Sequence, residues 1–264
     1  MQSTGTDRAL RASQIGFVLL VFGFIYLPIV SLIAFSFNAN RFPSLPWTGF
    51  STEWYRTIFA DPSISDAFLL SVLTAGGTAI VSTVLGFLGA YTDYRWRFPG
   101  KQAYLAVIIL PPTIPFIVLG LAMLNFLKEI GLAASTTGIF ISHTILCIPF
   151  ALAVIRMRLA DLPPELEQAA WNLRCGQVET VLRIVVPHCM PAIAAALLIT
   201  TAVSFDEFMI AWFVSGVDVT LPVRILTLLE GQVSAAINAL GSVVFGISLF
   251  LITTALAIIV RTRK

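Results

Sequence analysis

Charged side chains are scarce in this sequence of 264 residues, which holds 16 Lys and Arg and 14 Asp and Glu, or 11% of the chain. Soluble globular domains carry about a quarter charged residues, and here hydrophobic residues make up 58%, so a soluble fold is excluded. A net charge of +2 provides no basic surface of the kind that binds nucleic acid, so no nucleic-acid partner is expected. The composition instead indicates a protein embedded in membrane lipid.

Residues suited to catalysis or metal binding are also few, with two His and three Cys in the chain. His143 and Cys147 share one face of a predicted helix, but a third ligand is missing, so no metal site is predicted. His143 is expected to be a buried hydrogen-bonding residue, and the cysteines are expected to be small buried side chains without a disulfide. No Ser/His/Asp arrangement is visible, and no catalytic residue is assigned.

Six apolar runs are long enough to cross about 30 Å of hydrocarbon as helices of roughly 20 residues. They lie near 15–37, 67–92, 103–127, 136–159, 188–213 and 238–260. Six crossings place both termini on one side of the membrane, and Pro111, Pro112 and Pro115 are expected to break or bend the third span. No internal repeat is visible, so the prediction is an all-α membrane protein with a single transmembrane domain over 1–264.

Basic residues indicate the orientation, because cytoplasmic loops carry an excess of Lys and Arg. With the termini inside, 12 of the 16 basic residues fall on the cytoplasmic side. These are Arg8, Arg11, Arg95, Arg97, Lys101, Arg156, Arg158, Arg174, Arg183, Arg261, Arg263 and Lys264. We therefore expect cytoplasmic N- and C-termini and a cytoplasmic loop at about 161–187.

That loop is both polar and helical in pattern. A first helix is expected to begin with Asp161 as its N-cap and to stop at Gly176. Its predicted apolar face holds Leu162, Leu166, Ala169, Ala170 and Leu173, with Glu165, Gln168 and Asn172 on the other side. A second short helix is expected from Gln177 to Pro187, where the fifth span begins. The pattern suits docking on a partner or lying on lipid, and it leaves both open.

The spacing of the loop resembles the cytoplasmic motif of binding-protein-dependent ABC importer permeases. That motif is Glu-Ala-Ala, three residues, Gly, nine residues, then Ile-x-Leu-Pro; the chain has Gln168-Ala169-Ala170, Arg174 and Ile184-Val185-Val186-Pro187 at the matching places. The resemblance implies a coupling helix that sits in a cleft of an ATP-hydrolysing subunit. The residues assigned to this contact, with their neighbours, are Glu167, Gln168, Ala169, Ala170, Arg174, Gly176, Ile184 and Pro187.

Other stretches extend the resemblance over nearly the whole chain: FSFNANRF at 35–42, GFSTEWYRTIF at 49–59 and SFDEFMIAWFVSGVDVTLPVRI at 204–225. They are similar to the second permease subunit of spermidine/putrescine importers, which implies a type I ABC importer permease (MetI-like) bundle of six transmembrane helices in the bacterial inner membrane. The implied partners are a homologous second permease, two ATP-binding subunits and an external solute-binding protein.

The chain lacks the Gly-x-x-x-x-Gly-Lys-[Ser/Thr] loop that cradles nucleotide phosphates, so it is expected to bind no cofactor, and ATP and Mg would be used by the partner subunits. The resemblance implies import of a polyamine such as spermidine or putrescine. An opine, another organic cation or iron(III) remains open as the cargo. An ion-driven secondary transporter is the alternative from a different class.

Two acidic residues, Asp206 and Glu207, stand late in the predicted fifth span, where a charge at the membrane centre costs about 2.5–3.5 kcal/mol. Helical spacing puts Glu207 on one stripe with Thr200 and Ser204, and this stripe is predicted to line a pathway for a cationic solute. Asp206, also a candidate for the pathway, is expected to hold a hydrogen bond or a subunit contact. The alternative is that both carboxylates only cap a nearby helix end or bind backbone.

Overall fold

The computed structural model describes residues 5–42, 44–231 and 235–261, with side chains from Leu10 onwards. Within these ranges the chain is helical apart from connecting segments and one antiparallel bridge between Asn38 and Phe50. The helices are α1 (Gly5–Ser36), α2 (Glu53–Ala60), α3 (Pro62–Arg95), α4 (Lys101–Ile109), α5 (Phe116–Glu129), α6 (Thr136–Leu159), α7 (Pro164–Asn172), α8 (Gln177–Thr180), α9 (Val186–Asp206), α10 (Met209–Val214), α11 (Leu221–Gly231) and α12 (Ala235–Arg261). The predicted all-α fold is confirmed.

Five helical segments among the described residues are long and apolar enough to cross a membrane. They are Leu10–Ser36, Pro62–Arg95, Thr136–Leu159, Gln177–Asp206 and Ala235–Arg261. They correspond to the first, second, fourth, fifth and sixth predicted spans, so the chain is a multi-pass membrane protein. The count of six crossings and the side on which the termini lie stay predictions.

The predicted third span, 103–127, is interrupted by a proline-rich turn. α4 ends at Ile109, a 3-10 turn covers Pro111–Thr113, and α5 starts at Phe116 directly after Pro115. A proline has no N–H to donate and its ring clashes with the preceding turn, and three prolines within five residues, Pro111, Pro112 and Pro115, account for the interruption here. The predicted break is confirmed, and it leaves helices of 9 and 14 residues in place of one long span.

The described chain forms two compact units. The first contains the residues up to Asp61 together with Leu228–Val243. Within it, the Ser36 hydroxyl at the end of α1 lies 2.7 Å from the Tyr55 hydroxyl on α2. This contact fixes the short helix α2 beside the end of α1. The single permease domain expected over 1–264 stays a prediction.

The second unit, Pro62–Thr227 with the chain from Val244 onwards, is built on the packing of α3, α6 and α9. Small residues form most of the buried face of α3, as is typical of closely packed membrane helices. They include Ala67, Ser71, Thr74, Ala75, Thr78, Ala79, Ser82, Thr83, Gly86, Gly89 and Ala90. At Gly86 a Cβ atom would lie 2.7 Å from Ala151 Cβ and 2.8 Å from the Leu152 backbone nitrogen, so only glycine permits this approach of α3 to α6.

Replacing Gly86 with alanine is expected to destabilise the protein, because the new methyl group meets the backbone of α6 and forces the two helices apart. Gly76→Ala is the matched control, since a Cβ at this position of the same helix meets no described atom within 4 Å. We expect Gly86→Ala to lower the free energy of unfolding by about 1–3 kcal/mol and Gly76→Ala to leave it unchanged or slightly raised. Thermal unfolding of the purified chains in one detergent measures both, and equal melting temperatures would contradict the close approach.

Candidate functional site

The loop helix α7 begins later than the sequence predicted. Pro163 is the N-cap residue and Pro164 the first helical residue, whereas Asp161 lies in the preceding turn, so the predicted N-cap at Asp161 is wrong. A residue that precedes a proline is driven to extended geometry, and Pro163 has φ −64° and ψ 125°. The second proline then occupies the first helical position, where a missing N–H leaves no intrahelical bond unmade.

The end of α7 explains the glycine position of the motif. Arg174 has a φ of 61°, in the left-handed region that favours glycine. Its N–H donates to the Trp171 carbonyl at 2.9 Å, and the Cys175 N–H donates to the Ala170 carbonyl at 3.0 Å. This pair of bonds is the Schellman pattern that closes a helix. Gly176 has a φ of −67° and comes after the helix has ended, so its predicted role as the stop is wrong.

The second loop helix and the fifth span are continuous in the structure, contrary to the prediction that Pro187 separates them. Residues Gln177–Asp206 run as one 30-residue segment that contains a π-helical turn at Val181–Val185. The Val186 N–H bonds to the Val181 carbonyl, five residues back, directly before Pro187. This wider turn absorbs the proline, which has no N–H of its own, without ending the helix.

The two faces of α7 differ from the predicted amphipathic pattern. Leu162 and Ala170 are buried as predicted, but the acidic Glu167 is buried with them. Leu166 is exposed at its surface, and Leu173 leaves 80% of its area exposed. Downstream, Val178 and Leu182 are exposed as well. The loop therefore directs a carboxylate inwards and presents an apolar row outwards, which we call the loop row: Leu166, Ala169, Leu173, Val178 and Leu182.

Glu167 is buried because it anchors α7 to the end of α3. Its Oε2 atom lies 3.4 Å from Arg95 Nε, and the Arg95 guanidinium carbon lies 4.4 Å from the centre of the Trp171 ring. The Tyr94 hydroxyl adds a bond of 3.2 Å to the Leu162 carbonyl. A buried carboxylate needs such a cationic partner, so this contact fixes which face of α7 points inwards.

Other charged side chains near the loop join α3, α4, α6 and α9 to one another. Asp93 on α3 binds Arg156 on α6 at 2.6 Å and Lys101 on α4 at 3.1 Å. Arg158 Nε donates to the His188 carbonyl at 3.1 Å, which joins α6 to α9. These contacts were not predicted, and their only signal in the sequence was the clustering of charge at predicted helix ends.

The residues assigned to coupling divide by exposure. Glu167 and Ala170 are buried, Ile184 is half-buried, and the exposed members are Gln168, Ala169, Arg174, Gly176 and Pro187. The exposed members lie on the outer surface of the loop, where a partner can reach them. Their contact with an ATP-hydrolysing subunit stays a prediction.

At the far end of α9, the predicted span 188–213 is broken, contrary to expectation. α9 ends at Asp206, and α10 starts at Met209. In the break, Glu207 Oε1 accepts the Ile210 N–H and Oε2 accepts the Ala211 N–H, both at 2.9 Å. The carboxylate thus accepts two of the N–H groups that a helix start leaves unpaired. These contacts are those of the alternative interpretation, in which the carboxylate caps a nearby helix end. Its role in a pathway stays a prediction.

A buried polar cluster surrounds this carboxylate. His143 on α6 has its Nε2 atom 3.3 Å from Glu207 Oε2 and its Nδ1 atom 2.9 Å from the Ser204 hydroxyl. The sequence predicted a buried hydrogen-bonding histidine, and the structure adds the neighbouring Ser204 and Glu207, which were not predicted to meet it. All three side chains are buried.

Asp206, the neighbour of Glu207, is the exposed carboxylate of the pair. The predicted hydrogen bond is present, because the Ser248 hydroxyl on α12 donates to Asp206 Oδ1 at 2.7 Å. The residue lines a cleft of about 620 Å³ whose other walls are mainly apolar: Phe116, Ile117, Leu146, Val203, Glu207, Phe208 and Met209. Thr200 and Ser204 lie in the interior instead, and their predicted pathway role stays untested.

The sequence model of the binding-protein-dependent transport system inner membrane components matches residues 82–262, a region that includes the loop, the break and the cleft. The chain belongs to this family. The spermidine/putrescine transport system permease protein PotC of Haemophilus influenzae is 31% identical over 249 residues, which cover 94% of this chain and 95% of the relative. The putrescine transport system permease protein PotI of Escherichia coli K12 is 30% identical over 241 residues, 88% of this chain and 85% of the relative.

Solved transporters of this kind share the fold of this family member. A bacterial ABC transporter involved in the import of the acidic polysaccharide alginate matches with a TM-score of 0.71 at 14% identity, over 99% of both chains. The MetNI methionine ABC transporter in an inward-facing conformation matches with a TM-score of 0.59 at 15% identity, over 81% of this chain and 98% of the other. The predicted importer-permease bundle is confirmed as the fold.

Arg174 stands where the family motif has glycine, and Arg174→Gly is expected to stabilise the loop. A non-glycine residue in left-handed geometry costs about 1–2 kcal/mol, and glycine removes this cost at the price of a freer unfolded chain, so we expect a net gain of up to about 1 kcal/mol. Arg174→Val should lower the free energy of unfolding by at least about 1 kcal/mol, because a β-branched side chain tolerates this left-handed geometry poorly. Arg174→Ala is the control for loss of the charge. Thermal unfolding ranks the variants, and a valine variant as stable as the glycine one would contradict the helix-end geometry.

Proposed function

We propose that the chain is the transmembrane permease subunit of an ATP-binding-cassette importer that moves a polyamine, such as spermidine or putrescine, into the cytoplasm. The observation that carries the proposal is the loop row, an apolar surface held outwards by the ion pair of the buried Glu167 with the partly exposed Arg95. The names of the relatives at about 30% identity support the cargo. The chain itself performs no chemistry, and its partners hydrolyse ATP.

The loop row suits a protein partner better than a lipid surface. Helices that lie on membranes usually carry Lys and Arg on their polar face, because the headgroups of many lipids are anionic. Helix α7, which carries Leu166 and Ala169 of the row, holds no Lys or Arg and has Glu165 exposed, whereas Arg174 and Arg183 are exposed beside the later part of the row. An amphipathic helix with exposed leucines and a carboxylate is instead suited to an apolar groove of another protein. In the proposal that groove belongs to an ATP-binding subunit.

The proposed assembly pairs this chain with a homologous permease, two ATP-binding subunits that use ATP and Mg, and an external solute-binding protein. The basic residues support cytoplasmic termini and a cytoplasmic loop, in a bacterial inner membrane. Closure of the ATP-binding subunits would pull on the loop. Because the loop is anchored to α3 and runs directly into α9, that motion would reach the membrane helices and change which side the pathway opens to.

The cleft beside Asp206 supports a polyamine as cargo. A polyamine is a chain of methylene groups with cationic nitrogens, and the cleft offers apolar walls with one exposed carboxylate. Phe116 and Phe208 on its wall provide aromatic faces of the kind that attract ammonium groups. An acidic or zwitterionic solute would bind this lining less strongly, because the exposed carboxylate attracts only cationic groups.

The test is the ATPase rate of the affinity-purified complex in nanodiscs, with the external binding protein added empty or loaded with spermidine. We expect several-fold stimulation by the loaded form alone. Hydrolysis that ignores binding protein loaded with spermidine and, in a second run, with putrescine would overturn the polyamine and favour an opine, another organic cation or iron(III). The absence of a co-purifying ATPase would overturn the importer and favour an ion-driven secondary transporter.

Docking through the loop row predicts that Ala169→Glu uncouples hydrolysis from transport. The new charge would be buried in the contact with the partner, which costs several kcal/mol, while the exposed site leaves the folded chain intact. Asn172→Glu is the matched control, because it adds the same charge at an exposed polar position of the same helix. We expect a loss of uptake of about ten-fold or more for Ala169→Glu alone, at equal expression. Unchanged uptake in that variant would exclude the loop row as the docking surface.

A further inference from the structure

We propose that His143 is a positioning residue of the transport site, holding the break between α9 and α10 so that the Asp206 carboxylate faces the cleft. The inference rests on the proposed function, since it assigns Asp206 to the cationic cargo. Relative to the cleft, His143 lies behind Glu207, and its side chain is 1% exposed. It therefore acts on the cargo through other residues.

The geometry of the break supports this role. Ser204 lies in the last turn of α9, and Glu207 lies in the break itself. His143 contacts both through its two ring nitrogens, from a different helix. The imidazole therefore ties the end of α9 and the start of α10 to α6. Asp206 stands between the two tied residues, so its direction is set when theirs are.

The two ring nitrogens of His143 meet different partners. The Glu207 carboxylate, which already accepts two backbone N–H groups, lies 3.3 Å from Nε2, at ion-pair distance. Nδ1 shares a hydrogen bond of 2.9 Å with the Ser204 hydroxyl. One imidazole therefore contacts both neighbours at once. A leucine of similar size has no polar group for either contact.

Loss of His143 would loosen the Glu207 cap. Glu207 borders the cleft as well as the protein interior, so a carboxylate deprived of its inner neighbour can rotate towards the water of the cleft. The N–H groups of Ile210 and Ala211 would then lose their acceptor, and the start of α10 would fray. Asp206 would keep its hydrogen bond from Ser248 but lose the support of a fixed break, so its carboxylate would no longer be held in one direction.

The first measurement needs no cargo. Hydrogen–deuterium exchange of the peptide spanning 207–216, in the assembled complex in nanodiscs, reports the protection of the Ile210 and Ala211 amides. We expect exchange about ten-fold faster in His143→Leu, because a hydrogen bond to a charged group is lost. Thr144→Val is the matched control, since Thr144 is the next residue of α6 and its hydroxyl bonds only to the Phe140 carbonyl of its own helix. Equal exchange in His143→Leu and the wild type would overturn the proposal.

The second measurement separates positioning from simple loss of structure. Uptake by the reconstituted complex is measured per assembled complex with spermidine-loaded binding protein, which gives kcat and the KM for the loaded protein. We expect kcat to fall about ten-fold in His143→Leu, with KM changed less than about two-fold, because the break acts after docking. His143→Gln, which keeps a donor near Glu207, should recover most of kcat. His143→Asn, which reaches only Ser204, should not.

A double-mutant cycle with Asp206→Asn links His143 to the cargo carboxylate. If His143 acts through Asp206, adding His143→Leu to Asp206→Asn lowers kcat by less than about two-fold further. If the two substitutions instead lower kcat independently, so that their fold-losses multiply, the proposal is overturned. This holds even if hydrogen–deuterium exchange of the 207–216 peptide is faster in His143→Leu. A wild-type complex indifferent to spermidine would instead refute the polyamine cargo, and the exchange experiment would still decide whether His143 holds the break.

Discussion

A carboxylate buried in an apolar bundle must find hydrogen-bond donors, and this requirement organises the junction of α9 and α10. Glu207 finds them by ending the regular part of α9 and accepting the first free N–H groups of α10. The helix break and the buried charge therefore explain each other: without the break the amides would be used within one helix, and without the carboxylate they would be unpaired. Asp206, the last residue of α9, is exposed directly before this break.

The opposite end of the unit Pro62–Thr227 uses the same principle for a different purpose. Glu167 is buried against Arg95, and this pair turns the apolar residues of α7 outwards. Exposed apolar rows of this kind mark interaction surfaces, and the proposed function assigns this one to a partner subunit. The two buried carboxylates thus help to determine what the molecule presents: an apolar row at one end and the exposed Asp206 carboxylate beside the cleft at the other.

The sequence was sufficient for features that depend on local chemistry. Apolar runs located five long helices, the prolines at 111, 112 and 115 located the interruption of the third span, and motif spacing located the loop. The faces of α7 could not be predicted, because its anchor, Arg95, lies 72 residues away and has no periodic signature. The break at Glu207 was also hidden, since no glycine or proline marks residues 206–208 and the acceptor is the side chain itself. Arg174 shows a third limit: the motif position indicated a turn, yet only the backbone revealed that the arginine adopts the glycine geometry.

The segment Gln177–Asp206 connects the two ends directly. Thirty residues of helix span about 45 Å, more than the roughly 30 Å of hydrocarbon, so the segment reaches beyond the membrane on at least one side unless it is strongly tilted. Its first turns form part of the loop surface, and its last residue is Asp206. Helices bend most readily at π turns and at prolines, and this segment has its π turn at Val181–Val185 with Pro187 and Pro191 directly after it, close to the loop. From there α9 continues as one helix to the break, so the loop surface and the Asp206 carboxylate belong to a single helical segment.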